Sequence, residues 1–95
     1  MPNCNLSIQV LPFVKEDDLF PVVDKAIAVI QASGLPYQVG PLETTIEGDM
    51  DQLMDLARQV QQACIDAGVE RLMTVIKVSY CAKGESMDEK TEKYR

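Results

Sequence analysis

Polar side chains able to do chemistry recur at alternate positions in three short apolar segments of the 95-residue chain: Ser7 and Gln9, Thr45 and Glu47, and Lys77. Together they offer two hydroxyls, an amide, a carboxylate and an ammonium. Such a set donates and accepts hydrogen bonds in a fixed array and suits a small polar heterocycle. Glu47 is expected opposite Lys77, and Leu11, Met73 and Val75 are expected to supply apolar walls. The simpler alternative is a solvated sheet face, where alternating polar residues carry no function and a Glu–Lys pair contributes only about 0–1 kcal/mol.

Other chemistries find little support. The chain has no histidine, which removes the commonest general base and metal ligand. Cys4, Cys64 and Cys81 are too scattered for a zinc site, an iron–sulfur cluster or a redox motif, so no metal site is expected. Cys64 falls in a helical apolar stripe and reads as core. No catalytic triad or phosphate loop is present, so no catalytic residue and no cofactor are assigned.

The elements that must position these residues follow from periodicity. Asn5 to Val10 alternates, with Leu6, Ile8 and Val10 on one face, which predicts a strand closed by Pro12. Leu19, Val23, Ala26, Ile27 and Ile30 recur at helical spacing, giving a helix from about Asp18 to Ser33 with Gly34 as its C′ residue. Pro21 is then expected in the first turn, where it removes no intrahelical bond. Tyr37–Val39 and Thr44–Glu47, separated by Gly40-Pro41, read as a hairpin. Asp49 and Gln52 form a capping box for a second helix with Leu53, Leu56, Ala57, Val60, Cys64 and Ala67 inward, ending at Gly68. Glu70 to Tyr80 is the last strand.

The order β-α-β-β-α-β predicts an α+β, ferredoxin-like sandwich: a four-stranded antiparallel sheet, order 4-1-3-2, with both helices on one face. Residues 1–82 form the single domain, and 83–95 read as a polar, mobile C-terminal tail. The register places Ser7, Gln9, Thr45, Glu47 and Lys77 together on the uncovered face, with strands about 4.8 Å apart and alternate residues about 6.8 Å apart.

Composition narrows the partners. Nine basic against 15 acidic residues give a net charge of −6, which repels phosphate backbones and anionic surfaces. The central strands also lack the stacking aromatics of an RNA-binding sheet, so no nucleic acid is expected. No apolar run approaches the ~20 residues that span a bilayer, so no membrane is expected. The N-terminus has neither the basic nor the apolar region of a secretory signal, and the expected location is cytoplasmic.

The segment Thr44-Thr45-Ile46-Glu47-Gly48-Asp49, following Tyr37 and Pro41 and preceding a helix, resembles the small thiamine-binding protein family. So do Leu6-Ser-Ile-Gln-Val10, the stretch from Val29 to Tyr37, and Arg71 to Val78. The resemblance covers about residues 5 to 80. It implies non-catalytic binding of thiamine, or its hydroxymethylpyrimidine half, in vitamin salvage, sensing or buffering. It also implies a homo-oligomer, a dimer of dimers (a homotetramer). With that ligand in view, Glu47 accepts from the pyrimidine amine, Thr45, Ser7 or Gln9 adds a complementary bond, and Tyr37 or Phe13 stacks on a ring. Leu11 to Asp18 departs from the short Gly-containing turn common in relatives, so if that segment borders the pocket, either ligand choice differs or binding is lost in this member. Two other readings stay open. One is an oligomeric interaction module without a ligand; the other is an enzyme on a thiamine precursor, with Glu47 as base, Lys77 as electrostatic partner or Cys81 as nucleophile.

Overall fold

Alternation along the first segment is what the structure, a computed structural model describing residues 2–95, turns into burial. In β1 (Cys4–Pro12), Cys4, Leu6 and Ile8 are buried while Ser7 and Gln9 are partly exposed. The chain continues through α1 (Glu16–Ala32), β2 (Tyr37–Val39), β3 (Thr44–Gly48), α2 (Met50–Asp66) and β4 (Leu72–Tyr80). It ends in α3 (Met87–Thr91) and a 3-10 turn, Glu92–Tyr94. The four strands form one antiparallel sheet in the order β2-β3-β1-β4, the expected ferredoxin-like arrangement.

The core lies between the sheet and the two long helices. Leu6, Ile8 and Ile46 pack against Val22, Ala26 and Ile30 of α1 and Leu53, Leu56, Val60 and Cys64 of α2. Each fully buried aliphatic side chain contributes about 1.5–3 kcal/mol relative to exposure. Both helices stop at glycines in the left-handed region, Gly34 at φ 75° and Gly68 at φ 95°, where a Cβ would be strained. The Asp49–Gln52 capping box is present, with Gln52 Oε1 accepting from the Asp49 N–H at 3.2 Å.

Two sequence expectations change. Helix α1 starts at Glu16, two residues earlier than expected, because three successive carboxylates (Glu16 to Asp18) suit the positive end of the helix dipole. Pro21 therefore lies beyond the first turn, where its missing N–H leaves the Asp17 carbonyl without an i+4 donor. Residues 83–95, read as a tail outside the domain, carry α3 and the 3-10 turn. Ser86 caps α3 by accepting from the Glu89 N–H at 3.1 Å, and Met87 is buried.

Candidate functional site

Strand register sets what meets on the uncovered face. Glu47, Asn5 and Ser79 form one row across β3, β1 and β4; Gln38, Thr45, Ser7 and Lys77 form the next across all four strands. Gln9 lies farther along, opposite Val75, and Leu11 lies opposite Met73. The structure thus brings Ser7, Thr45 and Lys77 together and keeps Gln9 and Glu47 on the same face.

The expected Glu47–Lys77 pair does not form, because Glu47 faces Asn5 while Lys77 faces Ser7. Lys77 Nζ instead reaches Glu43 Oε1 at 2.7 Å, and Glu47 Oε1 accepts the Met87 N–H at 2.7 Å. Ser7 and Thr45 hydroxyls bond each other at 2.7 Å. Tyr37 is aligned with Ile46, on the helix side, so it cannot stack on a ring held by Ser7 and Thr45; Gln38 takes the open-face position in β2.

These residues border a polar hollow of about 290 Å³, open to solvent and flanked by Met87, Lys90 and Thr91 of α3. Most of its polar groups are engaged by protein partners. Lys90 Nζ donates to Asn5 Oδ1 at 2.8 Å and to Ser79 Oγ at 3.3 Å, and pairs with Glu85 at 3.2 Å.

A larger concavity opens at the other side of the sheet. It is a cleft of about 480 Å³ between α1, the end of β1 and the β2–β3 hairpin. Leu19, Val23 and Ile27 wall it from α1, Leu11 and Pro12 from β1 with Phe13 just after it, and Val39 to Thr44 from the hairpin. Part of the α1 apolar stripe therefore faces open space rather than packed core, since the three-residue β2 and its Gly40-Pro41 turn are too short to cover it. Phe20 (72% exposed) and Leu42 (76%) stand on opposite walls. Thr44, 6% exposed, is the one buried polar side chain among these lining residues. Phe13 is fixed in the wall by its N–H bond to the Arg71 carbonyl at 2.9 Å and by the Arg71 guanidinium 4.7 Å from its ring centroid. Leu11, Pro12 and Phe13, the first residues of the Leu11–Asp18 segment, thus border a pocket.

The cysteines serve neither concavity. Burial pushes the Cys64 thiol up, and Cys4 is raised by burial and by Glu85, with Lys90 opposing. Cys81 sits just beyond β4 and lines neither space.

The family model for thiamine-binding proteins matches residues 6–95. The chain belongs to the thiamine-binding protein family. A UPF0045 protein of Clostridium perfringens is 43% identical over 95 residues, covering 100% of both chains. Among solved structures, a domain of unknown function from Bacillus cereus superposes with a TM-score of 0.92 at 47% identity, covering 99% of this chain and 91% of that one. A Thermotoga maritima protein named as a candidate in thiamine biosynthesis or salvage gives 0.91 at 34% identity, covering 99% of this chain and 100% of that one.

Family membership redirects attention to how β3 carries its signature. In Thr44-Thr45-Ile46-Glu47, strand alternation sends Thr44 and Ile46 to the helix side and Thr45 and Glu47 to the open side. The sequence reading took Thr45 and Glu47 and passed over Thr44, because a buried hydroxyl beside an unfilled space carries no mark in periodicity. Phe20 did carry one: a large aromatic off the apolar stripe of an amphipathic helix signals exposure.

Proposed function

We propose that the protein binds thiamine or its hydroxymethylpyrimidine half without converting it, and that the ring enters the apolar cleft rather than the polar open face. The observation that carries this reading is the cleft itself. It is large enough for a two-ring molecule, predominantly apolar, and has the Thr44 hydroxyl in its wall to donate to or accept from a ring nitrogen or amine. On the open face, the groups first expected to read the pyrimidine are largely spent on one another and on α3. Leu11, Pro12 and Phe13, in the cleft wall, then influence ligand choice. The same reading includes a cytoplasmic homo-oligomer, a dimer of dimers, acting in vitamin salvage, sensing or buffering. The two edge strands, β2 and β4, have unpaired outer sides that association between copies would cover.

The test is calorimetric titration of ligand-stripped protein with thiamine, hydroxymethylpyrimidine and thiamine diphosphate, repeated with Thr44→Val, Ser7→Ala and Glu47→Gln. Saturable binding weakened by Thr44→Val and indifferent to Ser7→Ala supports the cleft. Binding lost in Glu47→Gln and kept in Thr44→Val returns the site to the open face.

A second reading, an interaction module without a ligand, is favoured by the exposure of Phe20, Leu42 and Val39 on one side of the molecule. No binding heat, together with a melting point unmoved at high ligand concentration, selects it.

A further inference from the structure

Helix α3 is attached differently from α1 and α2. The long helices bury continuous apolar stripes, whereas α3 buries one side chain, Met87, which is 6% exposed. Its other ties are polar. Glu47 Oε1 takes the Met87 N–H at 2.7 Å, and Lys90 Nζ reaches Asn5 Oδ1 at 2.8 Å and Ser79 Oγ at 3.3 Å. Glu85 closes the arrangement with Lys90 at 3.2 Å and Ser79 at 3.2 Å. Arg95 folds back on Asp88 at 2.6 Å and on Thr91 at 3.2 Å, which closes the segment on itself rather than on the sheet.

Beside α3 the open face is not filled: a hollow of about 290 Å³, open to solvent, lies among Gln38, Ser7, Thr45 and Lys77 of the sheet and Lys90 and Thr91 of α3. One buried apolar side chain and a ring of polar ties place this segment at the low-stability end of the molecule, able to open while the core stays folded.

We propose that residues 84–95 are a latched cover over the Glu47–Asn5–Ser79 row of the sheet, at the edge of the hollow, with Glu47 as the latch on the sheet and Lys90 as the latch on the cover. Opening it uncovers Asn5, which is buried when it is closed, and widens the approach to the half-buried Ser7 and Thr45, while Lys77 is exposed in both states. The cleft on the other side of the sheet is outside its reach. The inference therefore stands whether or not the cleft takes thiamine.

The experiment follows access to position 7. Ser7→Cys puts a thiol in the hollow, and its labelling by a small maleimide is timed by peptide mass, which separates it from Cys4, Cys64 and Cys81. Amide exchange is followed in the same full-length protein. Adding Glu47→Ala removes a charge-assisted bond and should speed labelling at position 7, and exchange at residues 87–91, by about tenfold. Exchange in β1 and α2 should stay slow. Lys90→Met, on the cover side, should produce the same local release and provides the check if Glu47→Ala proves unstable. Labelling that is equally fast with and without both latches overturns the proposal, as does acceleration that appears only together with loss of protection in β1 and α2.

Discussion

Thr44 and Thr45 are neighbours on β3, yet one lines an apolar cleft and the other a polar hollow on the opposite side of the sheet. The cleft exists because the short hairpin does not close against α1, so apolar side chains are left facing space. On the open face, Ser7 and Thr45 bond each other, Lys77 pairs with Glu43, and Glu47 and Asn5 are taken up by α3. Under the proposed reading, apolar surface that the chain itself fails to cover is a better sign of a ligand site than a row of polar residues.

The sharpest break between the two sides should appear in stability. Ile46→Ala, at a fully buried position beside Leu6, should cost about 2–5 kcal/mol in denaturant unfolding. Thr45→Ala, one residue away, should cost about 0.5–1.5 kcal/mol by removing its bond with Ser7. Equal losses at the two positions would erase the distinction between packed and self-paired faces.

Binding should divide the threonines in the opposite sense. Thr44→Val, which keeps shape and removes the hydroxyl, should weaken hydroxymethylpyrimidine binding by about three- to tenfold in calorimetry, the size of one neutral hydrogen bond. Ser7→Ala should leave it unchanged.

Acid should loosen the open side first. Burial works against ionisation of Glu85, but hydrogen bonds from Ser79 and Lys90, the Lys90 charge and a backbone bond at Asn5 outweigh it and hold the carboxyl below its ordinary value of 4.5. A lowered folded-state value means that the contribution is fully present above pH 4.5 and is lost as pH falls through the folded value. Amide exchange at 87–91 should accordingly rise below pH 4.5 while α2 amides keep their protection. The smallest effect is expected from Lys77→Met, whose exposed pair with Glu43 is worth about 0–1 kcal/mol by thermal melting.

Much of the architecture was legible in advance for identifiable reasons. Alternation located β1 and β3, the 3.6-residue stripe and capping box located α2, and Gly34 and Gly68 marked both helix ends. The α3 signal was also in the chain, since Ser86 followed by Glu89 is a capping pattern, but it was hidden in a polar stretch with a single buried apolar residue. The candidate site was less legible. Ser7, Thr45 and Lys77 were correctly placed on one face, while the Glu47–Lys77 pair was misassigned because alternation gives the face of a residue and not its cross-strand neighbour.

By itself, then, the sequence determined the order of elements, the inward and outward sets of residues, and the ferredoxin-like sandwich, since these depend on local periodicity and on handedness rules that act within a few residues. Only the tertiary structure decided which polar groups are spent, that residues 83–95 fold back over the sheet, and that an apolar cleft stays open beside Thr44. Those outcomes depend on distances between segments as far apart as Glu47 and Met87, and no local pattern encodes such distances.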